Sequence, residues 1–290
     1  MPKEVINKSD EIRFTKMHGI GNDYIYINCL EKMPADLPQL AVEMSDRHFG
    51  VGGDGIVLIC PSEVADFKMR MFNNDGSEAR MCGNASRCIA RYLHDNHLTS
   101  DNVINLETLS GIKVLSLNLG NDDEVESVTV DMGEPILKPS EVPVRFIGDA
   151  MVEQPVSSSH GAVNITAVSM GNPHGVIFVD KLEDVPFDTL GPELERHAVW
   201  PDKANIEFVE VVNSSEVKMR VWERGTGETL ACGTGACATA VAAALTGRTC
   251  RRITVHLRGG DLQVNWADDN HVYMTGGATK VFDGIYERKG

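Results

Sequence analysis

The chain has 290 residues, 42% of them apolar and 24% charged, and its 27 Lys and Arg against 42 Asp and Glu leave a formal charge of −15. That length and composition fit an ordinary globular protein of about two domains. No basic stripe is available to neutralise a nucleic-acid backbone, no stretch approaches the roughly 20 apolar residues of a membrane span, and MPKEVINKSDEIRF lacks the apolar segment of a signal peptide. Cytoplasmic residence, with neither nucleic acid nor membrane as partner, is the expectation.

In chain order, YIYIN (24–28) reads as a strand, 38–47 as a helix and GIVLIC (55–60) as a strand; a helix follows Cys82. VLSLNL (114–119), ITAVSM (165–170) and VIFVD (176–180) are further strands, 190–197 is a helix, and a last, Ala-rich helix follows Cys232. The seven cysteines are odd in number and scattered, which suits a reducing compartment better than a disulfide framework.

The sequence repeats itself. KMRMFN at 68–73 returns as KMRVWE at 218–223, and the same offset of 150 carries Gly21-Asn22 onto Gly171-Asn172, Glu78 onto Glu228 and Cys82-Gly83 onto Cys232-Gly233. One register shared over some 60 residues indicates two related halves. No low-complexity linker separates them, so the boundary is expected in the turns near Gly133-Glu134-Pro135, giving halves 1–131, with 278–290 returning to it, and 132–277.

Each half opens its longest helix on a Cys-Gly turn. A helix start presents N–H groups without intrahelical partners and about half a positive charge, which can lower a thiol pKa and hold a carboxylate. Cys82 and Cys232 are therefore candidate thiolates, with the N–H groups of Gly83, Asn84, Gly233 and Thr234 as candidate carboxylate donors. Related halves that face each other would bring both thiols to one carbon beside that carboxylate. One would remove a proton and the other return it on the opposite face. Zinc fits poorly, because Cys82 and Cys88 are six apart and Cys232 and Cys237 five apart, neither being the C-x₂-C of structural sites. A redox pair lacks a C-x-x-C motif, and a non-catalytic amino-acid binder would have no need of cysteine at either helix start.

KMHGIGNDY, FNNDGSEARMCGN, MGNPHGV and WERGTGETLACGTGACA, in this order, resemble the diaminopimelate epimerases over nearly the whole chain, from about Phe14 to about Tyr286. The resemblance implies an α+β fold of two pseudo-symmetric domains, each a β-barrel-like sheet around a central helix. It implies an isomerase, free of cofactor and metal, that converts LL- to meso-diaminopimelate for lysine and peptidoglycan precursors, with Cys82 and Cys232 as the acid–base pair. Asn22, Asn73, Asn172, Asn205, Glu223 and Arg224 match its substrate-binding positions, Arg224 for the distal carboxylate and Glu223 for the distal ammonium. His174 matches an auxiliary position that helps set a catalytic thiol's protonation, and members often form homodimers. A racemase of histidine or proline type on the same fold is the alternative. The chain departs from the family pattern at Ala85-Ser86, where glycine is usual after CGN, and at Gly55, where glutamine is commoner. Residues 1–10 extend beyond the family's usual start and read as a tail.

Overall fold

The computed structural model describes residues 10–288, which fall into two compact units: the chain up to Val114 with the segment returning from Ala278, and Leu115–Gly277. The tail expected at 1–10 lies outside the described residues except for Asp10, which opens the first strand. The boundary expected after residue 131 falls inside the second unit. The reason lies in strand pairing: residues 115–119 pair with 125–131, and those pair with 272–276.

In the first unit β1 (Asp10–Gly19) pairs antiparallel with β2 (Asn22–Asn28) and with the returning strand Thr279–Arg288, β18. β2 runs parallel to β3 (Gly55–Cys60), and β3 antiparallel to β4 (Phe67–Asn73). β4 then takes the short β5 (Glu78–Ala79) antiparallel and β6 (Val103–Thr108) parallel. Helix α1 (Leu37–Ser45) buries Leu40 and Met44 in a core with Ile25, Ile56, Leu58 and Phe72. Helix α2 (Gly83–Asp95) packs on β1 and β2.

The second unit repeats this order. β7 (Gly111–Leu119), which runs across the division, and β8 (Val125–Asp131) lead to β9 (Gln154–Ser158), β10 (Gly161–Ser169) and β11 (Pro173–Val179). β10 and β11 are antiparallel, β11 and β12 (Asn205–Asn213) parallel, and β12 and β13 (Glu216–Glu223) antiparallel. β13 takes β14 (Gly227–Glu228) antiparallel and β15 (Arg252–Leu257) parallel, and the sheet goes on through β16 (Gly260–Trp266) to β17 (Val272–Gly276). Every pairing from β1–β2 to β4–β6 thus has its counterpart from β10–β11 to β13–β15. The helices α2 and α4 (Gly233–Leu245) start 150 residues apart, so the repeated register is a repeat of topology.

α4 is apolar all round, and strands β10, β11, β12, β15, β16 and β17 all pack on it. A sheet wrapped around a central helix is therefore the observed arrangement of this unit. Helix α3 (Phe187–Glu195) begins and ends earlier than the 190–197 expected. Phe187, Leu190 and Leu194 fill the core together, so the helix begins at Phe187 and Pro192 lies inside it.

Candidate active site

A two-residue turn, Ile20-Gly21, joins β1 to β2 and sets Asn22 at the start of its strand. Both turn residues have positive φ, 47° and 87°, as a type I′ hairpin requires. Gly21 takes this freely, whereas the β-branched Ile20 is strained there, a condition that clusters at functional sites. Asn22 Nδ2 donates to Asp54 Oδ2 at 2.8 Å, and the Asp23 N–H donates to the same oxygen at 3.1 Å. Arg47 bridges Asp23 and Asp54, and Lys16 pairs with Asp23 at 2.5 Å. Burial opposes ionisation of Asp23, but the hydrogen bonds and charges of Arg47 and Lys16 outweigh it and hold that carboxyl below its ordinary range.

With its Nδ2 committed to Asp54, Asn22 turns its Oδ1 to the start of α2. There it accepts from Cys82 Sγ at 3.3 Å and from Asn84 Nδ2 at 3.5 Å. Asn84 is held in turn by the fully buried Arg87, whose Nη2 donates to Asn84 Oδ1 at 2.7 Å. Cys82 occupies the extended N-cap position of α2 without a side-chain cap bond. The N–H groups of Gly83 and Asn84 precede the first intrahelical bond, Ser86 N–H to Cys82 O at 2.9 Å. Three expected residues, Asn22, Cys82 and Asn84, thus share one network. Asn73, at the end of β4, bonds instead to Ser77 Oγ at 3.0 Å.

The two departures from the family pattern have local reasons. Ala85 is fully buried in the first turn of α2, which accommodates its methyl, and Ser86 Oγ donates back to Cys82 O at 3.0 Å. A Cβ on Gly55 would stand 2.1 Å from Phe72 O, so in this backbone no side chain fits.

In the second unit Cys232 takes the equivalent N-cap position, 6% exposed, and its Sγ accepts from the Gly235 N–H at 3.4 Å and lies 3.5 Å from Thr234 Oγ1. The thiolate expected of this residue is not favoured here. Burial, then the negative charges of Glu223 and Glu207, push its thiol well above the ordinary range, against the smaller opposing effects of Thr234 and the Gly235 N–H. The helix start, worth roughly 0.3–1 kcal/mol, is the weaker influence.

Around Cys232 the strand ends supply the other expected residues. His174 is fully buried, with Nδ1 2.7 Å from Glu207 Oε1 and Nε2 3.1 Å from Asn172 Oδ1. Asn205 donates from Nδ2 to Pro173 O at 3.0 Å and accepts the Arg224 N–H at 2.9 Å, which ties β11 to the turn after β13. Glu223 accepts from Thr229 Oγ1. Arg224 Nη1 donates to Asp202 Oδ2 at 3.2 Å and to Asp202 O at 3.1 Å, and the Asp202 side chain is 85% exposed, so that carboxylate is a solvated partner.

Asp54, Arg47, Glu195 and Glu207 were not expected as site residues. Buried Glu195 accepts from Trp222 Nε1 at 3.2 Å and the Gly225 N–H at 2.9 Å, and so holds the turn that carries Glu223 and Arg224. An acid alternating with apolar residues in NIEFVEVV was the available signal for Glu207. Among the described residues no three His, Cys, Asp or Glu side chains converge as a metal site, and no helix is long and apolar enough to cross a membrane.

The family model for diaminopimelate epimerase matches residues 14–138 and 166–281. The chain belongs to the diaminopimelate epimerase family. It is 55% identical over 274 residues to a diaminopimelate epimerase of Acetivibrio thermocellus, covering 94% of this chain and 98% of that one. Against the diaminopimelate epimerase of Pelotomaculum thermopropionicum the identity is 52% over 277 residues, covering 95% and 99%. Among solved structures, a PhzF-family phenazine biosynthesis protein of Bacillus anthracis superposes with a TM-score of 0.68 at 17% identity, over 96% of this chain and 99% of the other. A hydroxyproline epimerase of Agrobacterium vitis superposes at 0.66 with 14% identity, over 95% and 91%. These two likenesses concern the fold: both units belong to the architecture that the epimerase family shares with them.

Proposed function

We propose that this chain epimerises LL-2,6-diaminopimelate to the meso form, with Cys82 and Cys232 as its acid–base pair. The observation that carries the reading is the placement of a cysteine at the N-cap of each unit's central helix, beside first-turn N–H groups that suit a carboxylate. A thiolate takes the α-proton, the electron pair passes into the carboxylate as an enediolate, and the opposite thiol gives its proton to the other face. The pair finishes with thiol and thiolate exchanged. Nothing is oxidised or reduced, so the balance calls for no redox cofactor.

Deprotonation beside a carboxylate is difficult, and the N–H groups of Gly83, Asn84, Gly233 and Thr234 supply stabilisation as charge grows on the carboxylate oxygens. The protonated state favoured at Cys232 suits the donor in one direction, and Cys82 is then the base. Arg224 and Glu223 take the distal carboxylate and ammonium, while Asn22, Asn73, Asn172 and Asn205 complete the recognition of the substrate. Free cysteines throughout the described chain support a reducing, cytoplasmic setting.

The test is turnover in D₂O with a substrate panel. The reading expects solvent deuterium at the α-carbon of diaminopimelate; preference for histidine or proline, or binding without exchange, overturns it.

A further inference from the structure

Glu207 is fully buried on β12, between the core residues Ile206 and Phe208 in sequence. β11 and β12 pair Val176 with Glu207, and the two-residue period of a strand puts His174 on the same face as Val176, so the imidazole reaches the carboxylate diagonally. Both side chains have 0% exposure. One oxygen of Glu207 meets His174 Nδ1 at 2.7 Å, and the other, Oε2, is buried with no hydrogen-bond partner. Leaving a buried acceptor unsatisfied costs about 1–3 kcal/mol, and more for a charged group. Stability alone does not account for an acid here.

The repeat makes the point sharper. At the offset of 150, Glu207 corresponds to Val57, His174 to Tyr24 and Gly235 to Ala85. Val57 is fully buried, so this position in the fold is filled well by an apolar side chain. Gly235 belongs to the same exchange: a Cβ there would come 2.7 Å from Glu207 Oε1 and 3.2 Å from Cys232 Sγ. The missing side chain opens the space that both the carboxylate and the sulfur occupy at the start of α4. Carboxylate, glycine and imidazole occur together beside Cys232, and their counterparts beside Cys82 are valine, alanine and tyrosine.

We propose that Glu207 is a positioning residue of the second unit: its buried carboxylate fixes the His174 ring, and through it the Asn172 amide, and sets a negative charge behind the Cys232 thiol. The His174 ring has one nitrogen against Glu207 and the other against Asn172. With the ring anchored by Glu207, the Asn172 amide is held against the ring's other nitrogen at 3.1 Å. The charge makes loss of the Cys232 proton harder, which keeps that residue a proton donor at rest; Glu223 acts in the same sense from the end of β13, and Thr234 and the Gly235 N–H act against it.

The inference rests on the proposed function in taking Asn172 and Cys232 as site residues. Its decisive test needs no substrate: the full chain and its Glu207→Gln and Glu207→Asp variants are treated with iodoacetamide at pH 8, and alkylation is followed peptide by peptide. Because the thiolate is the reactive form, Glu207→Gln is expected to alkylate at Cys232 at least about threefold faster than the parent, with Cys82 unchanged and Glu207→Asp close to the parent. In turnover Glu207→Gln is expected to raise KM as well as lower kcat, since Asn172 loses its anchor. Unchanged or slower alkylation of Cys232 in Glu207→Gln, equal acceleration in Glu207→Asp, or acceleration of Cys82 alongside Cys232 overturns the role. Failure of the parent chain to turn over diaminopimelate overturns the function instead, and leaves the alkylation result to judge Glu207.

Discussion

The starts of α2 and α4 share one backbone plan and differ in what surrounds the sulfur. Cys82 is half-buried and gives its S–H to Asn22, which Asp54, Arg47, Asp23 and Lys16 hold in place near the surface. Cys232 is buried, accepts an N–H, and lies near the carboxylates of Glu207 and Glu223. Even the supporting ion pairs repeat, Arg70 with Glu78 and Arg220 with Glu228, whereas Val57 and Glu207 do not. Duplication preserved the frame that presents each thiol, while the buried residues behind it diverged. Two chemically identical side chains therefore sit in unlike surroundings, and at Cys232 burial and the nearby carboxylates push the thiol well above its ordinary range.

The largest effect is expected from removing either sulfur. Cys82→Ala and Cys232→Ala should each lower turnover by about 10²–10⁴-fold, the usual worth of a general acid or base, and full activity in either variant contradicts the paired roles. Next comes the end of the second unit that has no counterpart in the first, since Glu223-Arg224 stands where Asn73-Asn74 stands. Arg224→Ala should raise KM for diaminopimelate by roughly 10–100-fold, from a charged hydrogen-bonded contact of about 1.5–3 kcal/mol. An unchanged KM removes Arg224 from the substrate site.

Gly235→Ala tests the space shared by Glu207 and Cys232. It should cost about 1–3 kcal/mol of stability by overpacking, read as a lower denaturant midpoint. The reverse change at the equivalent position, Ala85→Gly, should cost only about 0.5–1 kcal/mol, because there a methyl already fits. Equal losses at the two sites remove the contrast between the helix starts.

Stability should also fall as the pH rises above about 8.5, where an ordinary thiol ionises. Cys232 is raised well above its ordinary value and buried Cys88 is pushed up to about 11. The unfolded chain therefore releases these protons while the folded chain keeps them. Folding then takes up protons, and each such group costs up to about 1.4 kcal/mol per pH unit within its window. Melting temperatures that stay flat from pH 8.5 to 10.5 contradict these shifts, and Cys232→Ser should make the decline shallower.

Much of this was readable in the chain before any coordinates. The offset of 150, the cysteines at the two helix starts and the two longest helices follow from composition and spacing, because caps, small residues and strand alternation are local. Helix α3 starts at Phe187, ahead of the expected 190, because Phe187 packs in the core, and that packing is tertiary and not local. The division at Val114–Leu115 depends on which distant strand pairs with 115–119, and no local pattern encodes that.

The roles of Asp54, Glu195 and Glu207 belong to the same class. Each acid reads as an unremarkable charge in its own segment and gains its meaning from a partner that folding brings near: Asn22, 32 residues away, Gly225, 30 residues away, and His174, 33 residues away. The sequence by itself determined that two related halves would each offer a thiol at a helix start. Tertiary structure alone decided how tightly Cys232 keeps its proton, because desolvation and the fields of buried carboxylates depend on three-dimensional distance and not on separation along the chain.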